Sequence, residues 1–152
     1  MKFLISGLLL LLTNFGLFAQ MPRIEDTTFI FNVLIDSPDE DVVKETCGYY
    51  GFNETGTEDG YLIFQDGTGS VLKCKMNSLT PKMKVPFIEL QTSDTKKELE
   101  NVLKRLGYMK EGDRYMKGSP YTRTRTVCYI EPLSDNKKSK EYNLICTKEL
   151  NK

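Results

Sequence analysis

The chain has 152 residues, with 21 basic and 21 acidic side chains and no histidine. Ser-His-Asp and Cys-His catalysis are therefore excluded, and so is a mixed Cys/His zinc site. The zero net charge hides a polarity: residues 20–76 carry 11 acids and 4 bases, a net of −7, whereas residues 77–152 carry 10 acids and 16 bases, a net of +6. Either the halves attract each other or the basic half faces an anionic partner.

Met1-Lys2, the apolar run Phe3 to Leu12 and the segment Thr13 to Ala19 read as a signal peptide cleaved after Ala19, leaving Gln20 first. The apolar core is about ten residues long, half of what a spanning helix needs. Residues 20–152 hold no other membrane candidate, so the protein is expected to be secreted or periplasmic. All four cysteines, Cys47, Cys74, Cys128 and Cys146, lie in that part and no C-x-x-C pair occurs, which favours disulfides over metal or redox chemistry.

Phe29 to Ile35 predicts a first strand. A helix follows from Pro38 to about Tyr50, opened by a capping box at Ser37 and Glu40 and stopped by Gly51. Val43, Thr46, Cys47 and Tyr50 form its stripe, and Gly48 makes it irregular. The acids Asp36, Asp39, Glu40 and Asp41 crowd at its start, where they complement the helix dipole rather than serve as catalysts. Asn53 to Gly60 is expected to be a solvated loop. It is oxygen-rich, but Glu58 stands where a calcium loop needs glycine. Asn53-Glu54-Thr55 is also a glycosylation sequon.

Tyr61 to Gln65 and Ser70 to Met76 predict a hairpin around Asp66-Gly67-Thr68-Gly69. Asn77 to Lys84 reads as a linker, and Phe87 to Gln91 as a strand. The second helix has the clearest signature: a capping box at Thr95 and Glu98, the stripe Leu99, Val102, Leu103 and Leu106, and the stop Gly107. Arg114 to Lys117 and Thr122 to Ile130 predict a second hairpin, Pro132 to Lys140 a charged loop, and Glu141 to Lys148 a last strand.

The two helices lie 56 positions apart, and the elements around them match in order. At that offset Phe31 aligns with Phe87, Ser37 with Ser93, Gly51 with Gly107 and Gly56 with Gly112. At an offset of 54, Asp59 meets Asp113, Tyr61 meets Tyr115, Thr68 meets Thr122 and Cys74 meets Cys128. The expected fold is therefore α+β, with two tandem strand-helix-hairpin (βαββ) repeats, 20–80 and 81–152, or one compact domain 20–152. Helices pack on one face of an antiparallel sheet, and the C-terminal strand is an addition. In outline such disulfide-bearing tandem units are similar to those of exported inhibitors and small periplasmic modules of the PepSY type. No residue role is carried over from them.

No G-x-S-x-G elbow, P-loop or G-x-G-x-x-G is present, so no catalytic residue, metal or cofactor is expected. The binding candidates are Arg114, Lys117, Arg123, Arg125 and Tyr129, read as one basic, tyrosine-bearing sheet face suited to an unknown protein or an anionic polymer. Nucleic acid is not expected as a partner of an exported chain, and the oligomeric state is open. Cys47 on the helix stripe is expected to face Cys74 on the sheet, leaving Cys128 for Cys146 across the last loop. The competing pattern joins Cys74 to Cys128 and Cys47 to Cys146. The functional expectation is a non-enzymatic binding or inhibitory module. The alternatives are an envelope component that assembles with itself and a hydrolase that works without histidine.

Overall fold

The computed structural model describes residues 30–118, 123–134 and 141–151. The expected signal peptide, residues 119–122 of the expected second hairpin and residues 135–140 of the expected charged loop lie outside that range. In chain order the elements begin with a helix, α1, of which residues 30–34 are described. Next come helix α2 (Glu40–Tyr49) and strands β1 (Asn53–Glu58), β2 (Tyr61–Gln65), β3 (Val71–Thr80) and β4 (Met83–Thr92). Helix α3 (Lys96–Arg105) precedes β5 (Met109–Glu111), β6 (Arg114–Gly118), β7 (Thr124–Pro132) and β8 (Tyr142–Leu150).

α3 forms where its sequence places it. The Thr95 hydroxyl accepts from the Glu98 N–H at 3.3 Å, and the Glu98 carboxylate accepts from the Thr95 N–H at 2.8 Å. Leu99, Val102 and Leu103 are buried, and Gly107 turns the chain out of the helix at φ 85°. Thr95→Ala removes this reciprocal cap and is expected to lower stability by about 1 kcal/mol in urea unfolding.

The first expected strand is helical. Ile30, Phe31, Leu34 and Ile35 are buried while Val33 is exposed, which is a helical stripe. A short unbroken apolar run does not separate buried strand from buried helix by periodicity. α2 also starts later than expected. Its N-cap is Asp39, whose side chain accepts from the Val42 N–H at 3.0 Å. Ser37 instead closes the end of α1, its N–H donating to the Leu34 carbonyl.

The supposed loop Asn53 to Gly60 is β1 and a tight turn in which Asp59 and Gly60 both have positive φ, the conformation that Asp-Gly favours between strands. The supposed linker is the β3–β4 hairpin. Pro86 is tolerated inside β4 because the ladder to β8 spans only Ile88 to Thr92, so no bond on that side is lost.

All eight strands form one antiparallel sheet in the order β1-β2-β3-β4-β8-β7-β6-β5. The βαββ unit is not what is seen. α2 and α3 are each followed by four strands, and the last strand of each set meets the other at the centre. β8 thus has a counterpart after all, namely β4. Around that seam Leu62, Cys74 and Ile88 are register neighbours on one side, and Tyr115, Cys128 and Cys146 on the other. Ile88 is itself opposite Cys146. The helices cover one sheet face only: Phe31, Leu34, Val43, Cys47, Leu99 and Leu103 share a core with Phe64, Leu72, Ile88, Leu90 and Leu144.

Candidate functional site

Because side chains alternate along a strand, every strand that sends one set into the helix-covered core sends another to the opposite face. No described helix covers that second face. Tyr61 and Phe87 meet edge to face there, 6.2 Å between ring centres, and Lys75 lies 5.3 Å from the Tyr61 ring. Val127 is fully buried and Met116 nearly so, although both belong to this face through their pairing with each other and the pairing of Val127 with Thr147. Burial, and secondly Glu89, push the Tyr61 hydroxyl above its ordinary range.

Charges on this face are mixed. Lys73 pairs with Glu58 at 3.6 Å and Arg125 with Glu149 at 3.2 Å. Arg114 stands opposite Tyr129 on one side and Glu111 on the other, and Glu89 stands between Lys73 and Ile145. Two buried polar atoms here, Arg125 Nε and Asn143 Oδ1, have no hydrogen-bond partner among the described residues.

The residues expected to make one basic face divide. Arg114, Arg125 and Tyr129 do share the open face. Lys117 points to the helix side, 5.6 Å from the Tyr108 ring. Arg123 precedes β7, and its carbonyl accepts from the Asn151 N–H. The open face is also less basic than expected, since Glu58, Glu89, Glu111, Glu131 and Glu149 sit among its cations. The physical reason is strand alternation: Glu89, Glu111, Glu131 and Glu149 come from the basic half itself, and the register puts them on the same side as Arg114, Arg125 and Tyr129. Sequence reading missed Tyr61, Phe87, Glu89 and Ile145. The available signal was the near-continuous apolar run in Tyr61 to Phe64 and in Val85 to Leu90, which puts apolar side chains on the second face as well as in the core.

No protein-family model, curated protein or solved structure matches the chain.

Two clefts lie on the helix side. One, of about 590 Å³, is lined by Glu100, Lys104, Tyr108, Met109, Lys110 and Tyr115 among others. In it the Tyr115 hydroxyl donates to Glu100 at 2.5 Å and Lys110 donates to the same oxygen at 3.1 Å. Those bonds, Tyr115 first, hold the Glu100 carboxyl below its ordinary range, which makes it a poor general base. The other cleft, of about 650 Å³, lies between α1 and the sheet, lined by Asn32, Asp36, Tyr108, Lys117, Thr126 and Lys148 among others. Asp36 and Lys148 form an ion pair there.

Cys128 and Cys146 are joined by a disulfide across β7 and β8, as the last-loop reading expects. Cys47 and Cys74 are free, buried thiols, so the expected second bridge is not formed. The strand neighbour of Cys128 is Cys146, whereas the equivalent neighbour of Cys74 is Ile88. Burial pushes both thiols up to about 12, with Cys74 a second influence on Cys47 and Glu40 on Cys74.

Proposed function

We propose that this is an exported, non-enzymatic binding module whose open sheet face seats a protein. The observation that carries the reading is the one-sided placement of the described helices, which leaves aromatic, apolar and mixed charged side chains on a face of the eight-stranded sheet that no described helix covers. Half-screened tyrosine and phenylalanine set among arginine and glutamate are the chemistry of protein interfaces. A polyanion would meet Glu89, Glu131 and Glu149 beside the cations, which disfavours it. The Cys128–Cys146 disulfide is compatible with an oxidising compartment. Among the described residues no helix is long and apolar enough to cross a membrane.

The test is capture from culture medium and envelope extract on immobilised protein, comparing wild type with Tyr129→Ala and with the helix-side control Lys104→Ala. A protein retained by wild type and control but held at least tenfold less well by Tyr129→Ala is the expected result. A captured set that ignores open-face substitutions and responds to the control instead would move the site to the helix side.

A further inference from the structure

One line of side chains crosses the open face from β3 to β5. Register neighbours place Lys73, Glu89, Ile145, Tyr129, Arg114 and Glu111 in that order. Reversed about its midpoint, between Ile145 and Tyr129, the line is complementary to itself. Lys73 meets Glu111, Glu89 meets Arg114, and Ile145 meets Tyr129. The adjacent level is mainly apolar. Phe87 and Thr147 lie two residues along β4 and β8, and reversal sets them against Met116 and Val127. At this level Phe87 stands over Met116 and the stem of Lys75 over the exposed Met109, while Val127 is buried within its own sheet beneath Thr147; opposite charges meet at the other level.

We propose that a second copy of this chain covers the open face, related by a two-fold axis parallel to the strands and passing between β7 and β8. This rests on the reading that the open face is the binding surface. A two-fold axis in that direction makes each contact isologous, so every pair occurs twice. It also keeps the strands of the two sheets nearly aligned, as face-to-face sheets prefer. Six strands overlap, β3, β4 and β8 of each copy over β5, β6 and β7 of the other. At strand spacings of ~4.8 Å and ~20 Å of strand length this is roughly 600 Å² of face per copy. A standard stable interface uses about 800 Å² per partner. Among the described residues neither Arg114 nor Glu89 forms a salt bridge, so both can turn to the partner copy.

The experiment is light scattering on the purified full chain over a range of concentrations, with Arg114→Glu and Glu89→Arg variants. Wild type is expected to have twice the mass of one chain. Each variant alone sets like charges against each other at both contacts and is expected to dissociate at least tenfold more readily. Mixing the two variants restores opposite charges at both contacts, so the mixture is expected to dimerise when neither component does. Circular dichroism confirms folding, and a variant that unfolds is replaced by Arg114→Gln or Glu89→Gln. Wild type with single-chain mass at every concentration overturns the proposal, as does dimerisation indifferent to both charge reversals. Single-chain mass together with Tyr129-dependent capture of another protein overturns the dimer alone and keeps the binding-module reading.

Discussion

Phe64→Ala is expected to lower the unfolding free energy by about 3–5 kcal/mol, the range for deleting a buried phenylalanine ring. Phe64 is 1% exposed and lies on the helix-covered side of β2. It belongs to the same core as Phe52 and Leu72, so no solvent reaches the space its ring vacates. The transfer term and the cavity term therefore add. Small domains have only about 5–15 kcal/mol in total, so the variant loses a large share of its stability. Met109→Ala is the control. Met109 is 70% exposed on the short edge strand β5, and its truncation is expected to stay within about 0.5 kcal/mol. Urea titrations of both variants check the contrast. Equal effects would show that the helix-covered side is not the main core.

Alkali is expected to destabilise the protein steeply above about pH 9. Cys47, Cys74 and Tyr108 are buried, and burial is the largest cause lifting each of them to about 12. In the unfolded chain the same groups ionise near 9 for cysteine and 10 for tyrosine. Over the interval between, the unfolded state releases protons that the folded state keeps. Stability is therefore full below about pH 9 and is lost as pH rises toward 12, by on the order of 1 kcal/mol per pH unit for each group. Urea midpoints measured from pH 7 to 11 check the slope, and Cys47→Ala with Cys74→Ala should flatten it. In the same series a thiol reagent at pH 8 is expected to find no reactive thiol in the native protein and two per chain after unfolding, since Cys128 and Cys146 are oxidised. A flat midpoint up to pH 11 would mean that these groups are not held neutral by the fold.

α3 was legible because its information is local: Thr95, Glu98 and Gly107 satisfy their partners within a few residues. The hairpin strands around Asp66 were legible for the same reason. The side chain of Asp66 accepts from the backbone N–H groups of Thr68 and Ser70, both at 2.8 Å. The errors came where the deciding partner is distant. α1 is helical because its stripe packs into a core completed by β3, β4 and β8. β1 reads as a loop because all six of its residues are exposed, so no hydrophobic pattern was available to mark it. The alignment of Tyr61 with Tyr115 also fails for a physical reason. Leu62, not Tyr61, is the neighbour of Cys74, whereas Tyr115 is the neighbour of Cys128. A slip of one residue exchanges the faces, which puts Tyr61 on the open side and Tyr115 in the core. The open face itself was half legible. Arg114, Arg125 and Tyr129 share it by alternation along β6 and β7, but its acids are supplied mainly by strands whose position in the sheet no local pattern reveals.

The seam between β4 and β8 has a kinetic consequence. Every other strand pair in the sheet joins neighbours in sequence, so those hairpins close short loops at small entropic cost and form early. Only the seam requires residues 88–92 to find residues 142–146, a search across more than fifty positions. Assembly is expected to run through two locally zipped four-strand halves that dock last. The Cys128–Cys146 bond does nothing to hasten that step, because both of its ends lie in the second half. Substitutions at Leu90 and Leu144, which face each other across the seam, should therefore accelerate unfolding while leaving the refolding rate almost unchanged if docking follows the transition state.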